Sequence, residues 1–133
     1  MSDRIDYSIN LDRASDGLEL VDVDALARTV EDRWYNQTLV GVNDCVVRLG
    51  VMQGEFHWHH HDAEDEFFYV VDGRFMIDLE AEDRTVELGP KQGFMVPRGV
   101  VHRTRAPERT VILMIEGSGV VPTGDEGGPA ENP

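Results

Sequence analysis

The sequence predicts an all-β domain, a sandwich or barrel of short strands. From residue 36 onward, apolar and β-branched residues come in short runs, and turn-forming pairs separate those runs. A chain of 133 residues, 41% of them hydrophobic, suits one domain around one core and is too short for two.

Taken in order, the first thirty-odd residues are mixed in character. In "DALARTVEDRW" (24–34), Leu26, Val30 and Trp34 recur at helical spacing, which predicts a short helix over 24–34 capped by Asp22 or Asp24. The strand-forming runs follow: "NQTLVGV" (36–42), "CVVRLGVM" (45–52), "EFFYVVDGRFMIDLE" (66–80), "RTVELG" (84–89), "FMVP" (94–97), "VVHRTRA" (100–106) and "TVILMIE" (110–116). Turn chemistry lies at Asn43-Asp44, Asp72-Gly73, Glu82-Asp83, Gly89-Pro90 and Arg98-Gly99. Asp72-Gly73 sits between two apolar runs, so it predicts a two-residue hairpin, whose central residues need positive φ. The last stretch, "GSGVVPTGDEGGPAENP" (117–133), has little apolar surface beyond Val120 and Val121 and is expected to be a tail. The expected organisation is an N-terminal extension (1–35), a barrel (36–116) and a Gly/Pro/acidic tail (117–133). No internal repeat is evident.

Composition narrows the function classes. Twelve basic residues against 26 acidic ones give a net charge of −14, which argues against nucleic acid and anionic membranes as partners. Lysine occurs once, at Lys91, and arginine supplies the remaining positive charge. The first residues, "MSDRIDYSIN", lack the basic-then-apolar order of an export signal, and no apolar run is long enough to span a membrane. A cytoplasmic location is expected. The single cysteine, Cys45, agrees with a reducing compartment and is expected to be a small core residue.

Chemistry concentrates in "GEFHWHHHDAEDEFFYVVDG" (54–73), which holds four of the five histidines. Side chains alternate faces along an extended chain, so His57, His59 and His61 point one way while Trp58 and His60 point the other. Imidazoles two residues apart on one face are placed to share a cation such as Zn, Fe, Mn, Ni, Co or Cu. Glu66 opens the next apolar run, where a carboxylate is costly unless something pairs with it, and a metal would be such a partner. The remaining histidine, His102, follows a Pro-x-Gly turn in "VPRGVVH" (96–102), and its position suggests a fourth ligand. Phe56, Trp58, Phe67, Phe68 and Phe75 are expected to serve core or interface packing, and Arg103 and Arg105 to be surface charges.

These two segments resemble the paired motifs of the cupin superfamily. Gly54, His59, His61, Glu66 and Gly73 match the first motif, with four residues between His61 and Glu66 and six between Glu66 and Gly73; Pro97, Gly99 and His102 match the second. The chain is similar to small single-domain cupins (the cupin_2, conserved-barrel type) often labelled mannose-6-phosphate isomerase-like. That label describes a relationship of fold and implies no activity. The resemblance implies a jelly-roll barrel, or double-stranded β-helix, holding one divalent transition metal ion through His59, His61, Glu66 and His102. His57 is an extra residue on the ligand face, either a pocket residue or a competitor of His61. Ala106 stands where some cupins carry asparagine, a position that binds no metal in the family.

The function expected is that of a metal-dependent enzyme on a small organic molecule, of dioxygenase, isomerase/epimerase or lyase type, with Glu66 and His57 as candidate proton-transfer groups. The alternative is a non-catalytic binder with the metal as anchor; a purely structural role for the ion ranks last. A sheet with exposed edges seeks cover, so a homodimer is expected.

Overall fold

The computed structural model describes residues 7–120. Eight strands and one short helix follow in the order β1 (Tyr7–Asn10), α1 (Val23–Arg28), β2 (Trp34–Val42), β3 (Cys45–Glu55), β4 (Glu66–Asp72), β5 (Phe75–Leu79), β6 (Arg84–Leu88), β7 (Gly93–Val96) and β8 (His102–Gly117). Hydrogen bonding runs β1-β2-β3-β8-β4-β7, with β5 joined to both β6 and β8. This is the all-β jelly-roll architecture that the sequence predicts.

The two last apolar runs fuse into β8, and this long strand closes the barrel. Its first half pairs with β5 (Ile77 opposite Thr104), and its second half lies between β3 and β4 (Ile112 opposite both Gly50 and Val70). Between the halves, Pro107, Glu108 and Arg109 are exposed, and the alternation of inward and outward residues resets there. Proline lacks a backbone donor, so a bend out of the ladder is where it is tolerated.

Two apolar clusters flank the sheet. The inner one fills the barrel with Phe68, Phe75, Ile77, Ile112 and Met114, closed at one end by Tyr7, Trp34 and Phe56. The outer one seats α1 against the back of β3, where Leu49 and Val51 are fully buried under Ala27, Leu26 and Val30. Asp22 caps α1 by accepting from the Ala25 N–H (3.0 Å). At the other end, Arg109 Nη2 donates to the carbonyls of Ala27 (2.7 Å) and Val30 (3.3 Å), tying the helix C-terminus to β8.

Several expectations are corrected. The helix stops at Arg28, short of Trp34, because Leu26 and Val30 belong to the outer cluster and Trp34 to the inner one. One helix face cannot serve both sides of a sheet. The Tyr7–Asn10 strand, pairing parallel with β2, was not foreseen. Asp72-Gly73 is not a hairpin: β4 pairs with β7 and β8 and β5 with β6 and β8, so the pair carries the chain across β8 from one partner set to the other. Gly73 has φ +103°, and a Cβ there would stand 2.8 Å from Thr110 Cα and 2.9 Å from the Arg109 carbonyl oxygen. The two-residue hairpin lies instead at Asn43-Asp44, between paired Val42 and Cys45. Cys45 is exposed, not core, because it sits at that hairpin's end beyond the packed interior.

Arg103 and Arg105 are not free surface charges. Both donate to Asp78, a carboxylate only 6% exposed, and Arg103 also lies 4.7 Å from the Trp58 ring centre. Trp58, 41% exposed, is covered by that guanidinium in place of core packing. Of the other expected packing aromatics, Phe56, Phe68 and Phe75 are buried and Phe67 is half-buried on the outer face.

Gly73→Ala is expected to lower stability by about 1–3 kcal/mol, because alanine at that φ is strained and its Cβ has no room over β8. Urea unfolding would read this as a lower midpoint at unchanged slope; an unchanged midpoint would contradict the crossing geometry.

Candidate metal centre

The site is assembled by backbone pairing between segments far apart in sequence. After β3 the histidine stretch runs alongside the start of β8: Phe56 N–H donates to the Thr104 carbonyl (2.9 Å), and His59 and His102 exchange reciprocal N–H to carbonyl bonds of 2.9 Å. Gly99 N–H donates to the His61 carbonyl (2.8 Å), fixing the turn before β8. Asp65 Oδ1 accepts from the Arg98 N–H (2.9 Å), which ties the turn before β4 to the same place. Gly99 itself has φ +79°, a conformation glycine adopts without strain.

Parity then selects the side chains. His59 and His61 are buried, His57 and His60 are half-buried and Trp58 faces out. On β4, Glu66, Phe68 and Val70 point inward. The result brings one donor atom each from His59, His61, Glu66 and His102 within 4.8 Å of one another, all four residues buried. Glu66 Oε1 lies 3.3 Å from His102 Nε2 and 3.5 Å from His61 Nε2. Those separations are long for hydrogen bonds, and among the described residues neither Glu66 Oε1 nor His102 Nε2 has a well-formed hydrogen bond. They suit donors that share a cation, since ligands about 2.0–2.2 Å from a common ion stand roughly 3–4 Å apart.

The histidine rings are oriented from behind. The Nδ1 atoms of His59 and His102 face the carbonyls of His57 (3.0 Å) and Val100 (2.9 Å). Donation there places the proton on Nδ1 and leaves the Nε2 lone pair for an ion, the arrangement usual for ligating histidines. Burial, and then the neighbouring His102, push the His59 pKa down to about 3, so this ring is neutral at physiological pH. His57 is not part of the four-donor group. It stands beside it, with ring centres 5.4 Å from His59 and 4.1 Å from Phe56.

Behind Glu66 lies a polar network that sequence reasoning missed. Glu116 is directly opposite Glu66 across the β4–β8 ladder, and both face inward. Glu116 Oε2 accepts from Arg48 Nη1 (2.5 Å), whose Nε donates to Thr38 Oγ1 (3.2 Å) and whose Nη1 also reaches the Val120 carbonyl (3.0 Å). Burial raises Glu66, but its polar contacts with His102 and His61 outweigh that and hold it well below the usual carboxylate range. Burial, and then the charge of Glu66, push Glu116 well above that range, against the pull of Arg48. The signal was present in the sequence: Arg48 and Glu116 interrupt apolar runs at inward-facing positions.

Next to the four donors is an inner cavity with about 20 Å³ open to a water centre, room for roughly one or two waters. Trp34 and Phe56 stack beside it (5.0 Å, 29°), and Tyr7 meets Phe56 edge-on (5.3 Å, 84°).

Comparison with known proteins places this geometry among relatives. The Cupin domain family model (Cupin_2) matches residues 45–124. YdbB of Bacillus subtilis (strain 168) is 41% identical over 92 residues, 69% of this chain and 80% of that protein. The polyketide synthase CurC of Streptomyces cyaneus is 40% identical over 68 residues, 50% of this chain but only 43% of CurC. Among solved structures, a cupin-2 domain containing protein from Shewanella frigidimarina has a TM-score of 0.69 at 28% identity, covering 74% of this chain and 94% of that one. KdgF from Halomonas sp. has a TM-score of 0.59 at 22% identity, covering 68% and 85%, a likeness of fold alone.

Arg48→Met is expected to cost about 3–5 kcal/mol, because it leaves the Glu116 carboxyl buried without its cation; Arg48→Met with Glu116→Leu should recover much of that loss. Denaturant unfolding of the two variants checks the pair, and equal losses in both would contradict it.

Proposed function

The chain belongs to the Cupin domain family, and from that premise we propose that it is a metal-dependent enzyme acting on a small organic molecule. One observation carries the reading: four buried donors, three imidazoles and a carboxylate, converge beside an inner, mostly apolar cavity. His59, His61, Glu66 and His102 would hold one divalent transition metal ion. When bound, such an ion polarises a carbonyl or acidifies a water molecule. The donor set favours Zn, Fe, Mn, Co, Ni or Cu over Ca or Mg, which select oxygen ligands.

The protein's own groups supply the rest. The aromatic walls exclude bulk water and strengthen polar interactions inside. Glu66 and His57 are the proton-transfer candidates: Glu66 at the donor cluster, His57 half-buried at its edge. Dioxygenase, isomerase/epimerase and lyase chemistry all fit this arrangement. The likeness to CurC, called a polyketide synthase, supports a small carbon-rich substrate over a macromolecule. The alternative is a non-catalytic binder anchored by the metal, which the same four donors would serve.

Residence in the cytoplasm belongs to the same proposal, supported by an exposed, unpaired Cys45. No helix among the described residues is long and apolar enough to cross a membrane. So does a homodimer, which gains support from the outer sheet face: Met95, Phe67, Ile115 and Val47 lie side by side across β7, β4, β8 and β3. Met95 is 47% and Ile115 40% exposed along that row, an apolar strip suited to a second copy.

His59→Ala and Glu66→Ala are each expected to abolish stoichiometric metal uptake while leaving the far-ultraviolet β signature intact. Elemental analysis after metal loading reads the outcome, and full metal in both variants overturns the ligand assignment. Turnover of diketones, phenols, keto-acids and sugars under air and under argon then separates enzyme from binder. Ligand binding without turnover would favour the binder.

A further inference from the structure

The cavity beside the four donors is chemically lopsided. Its walls are mostly apolar, Trp34, Phe56, Phe68 and Met114 among them, and no lysine or arginine lines it. Two of its polar lining residues, Tyr7 and Asn36, come from β1 and β2, set side by side by the parallel pairing of those strands. Asn36 is 1% exposed; its Nδ2 donates to Tyr7 Oη (2.9 Å), and its Oδ1 has no hydrogen-bond partner among the described residues. Buried amide oxygens are nearly always paired, so an orphaned one on a residue that lines a cavity marks a place for a donor. Because the Tyr7 oxygen accepts from Asn36, its own hydrogen is available to donate. The pair therefore offers one acceptor and one donor, several residues away in sequence from any candidate metal ligand.

We propose that Asn36 and Tyr7 form the polar subsite of the cavity, selecting a small, neutral, flat molecule with two oxygen functions. One oxygen would approach the metal, and the other, a hydroxyl or carbonyl, would pair with Asn36 and Tyr7, leaving the carbon body among the aromatic side chains. Phosphorylated sugars and other multiply charged molecules are disfavoured, since no cationic side chain lines the cavity to balance charge beyond what one ion would meet, and the chain as a whole carries −14. The cavity must widen to admit such a molecule. Met52 and Met114 line it, and unbranched methionine side chains repack readily.

This inference rests on the metal reading above, and the experiment separates the two. Metal-loaded protein is titrated calorimetrically with catechol and acetylacetone as neutral probes, and with mannose 6-phosphate and pyruvate as anionic ones. The same is done for Asn36→Leu and Tyr7→Phe, with metal content measured in each. The expected result is that at least one neutral probe binds tenfold or more tighter than either anion. Asn36→Leu should weaken it about tenfold, and Tyr7→Phe severalfold, at unchanged metal content. Should Asn36→Leu fail to fold, Tyr7→Phe alone carries the test. Tighter binding of an anion, no binding of either neutral probe at millimolar concentration, or affinity indifferent to both substitutions (Asn36 then holding only a water) overturns the subsite. Wild-type protein that takes up no metal sinks the metal reading, and this inference with it; a metal-loaded protein indifferent to Asn36 and Tyr7 sinks this inference alone.

Discussion

The structure turns on one narrow backbone pairing, the reciprocal hydrogen bonds between His59 and His102. Residues 43 positions apart are locked face to face there by an isolated bridge, at the point where β3 has ended and β8 begins. Because side chains at paired positions share a face, locking the backbone also locks both imidazoles onto the interior. Everything else at the site follows as support. Gly99 lets the turn tighten against His61, Asp65 holds the turn before β4, and that turn delivers Glu66 at the first residue of its strand. A donor set built in this way is held by sheet geometry, which positions ligands more tightly than mobile loops do.

Such an interior carries a cost. Buried carboxylates are expensive in an apolar barrel, and besides Asp78 with its two arginines the described residues bury Glu66 and Glu116, opposite each other on neighbouring strands. Arg48 offsets one of them, with Thr38 and the Val120 carbonyl steadying its guanidinium. That leaves Glu66 answered by the imidazoles of His102 and His61 and by the Glu116 carboxyl opposite it, in a place where a cation would resolve the imbalance. A plain hydrophobic core would be the easier solution for a barrel of this size. The polar set therefore points to chemistry and not to stability.

Much of this was legible in the residues themselves. Strand parity separated His59 and His61 from Trp58, and Glu66 stood out as a charge opening an apolar strand. What was not legible came from contacts distant in sequence. Asp72-Gly73 carries hairpin chemistry, yet its glycine is required by a crossing over Thr110 that no local pattern encodes. Leu26 and Val30 do share the outer cluster, although the helix ends at Arg28 before Val30 is reached, and Trp34 is claimed by the inner aromatic cluster. Tyr7 and Asn36 gave no signal at all, because a tyrosine and an asparagine become a subsite only when a parallel edge strand lays them beside a cavity.

The contrast between outside and inside bears on what the protein can accept. At its surface, excess acid repels anions and sets up a field that favours neutral or cationic visitors. Within the barrel, three of the four candidate ligands are imidazoles, which bind metal ions in their uncharged form, so a bound divalent ion would keep a net positive charge after Glu66 is counted. A neutral molecule with an oxygen donor would pass the outer field without penalty and, with an ion held by the four donors, would still meet a Lewis acid at the end of its path. An anion would gain more at the ion but must first lose its hydration between Phe56, Phe68 and Trp34, where no cationic side chain compensates. A preference of Asn36 and Tyr7 for a neutral partner thus agrees with the charge distribution of the whole chain.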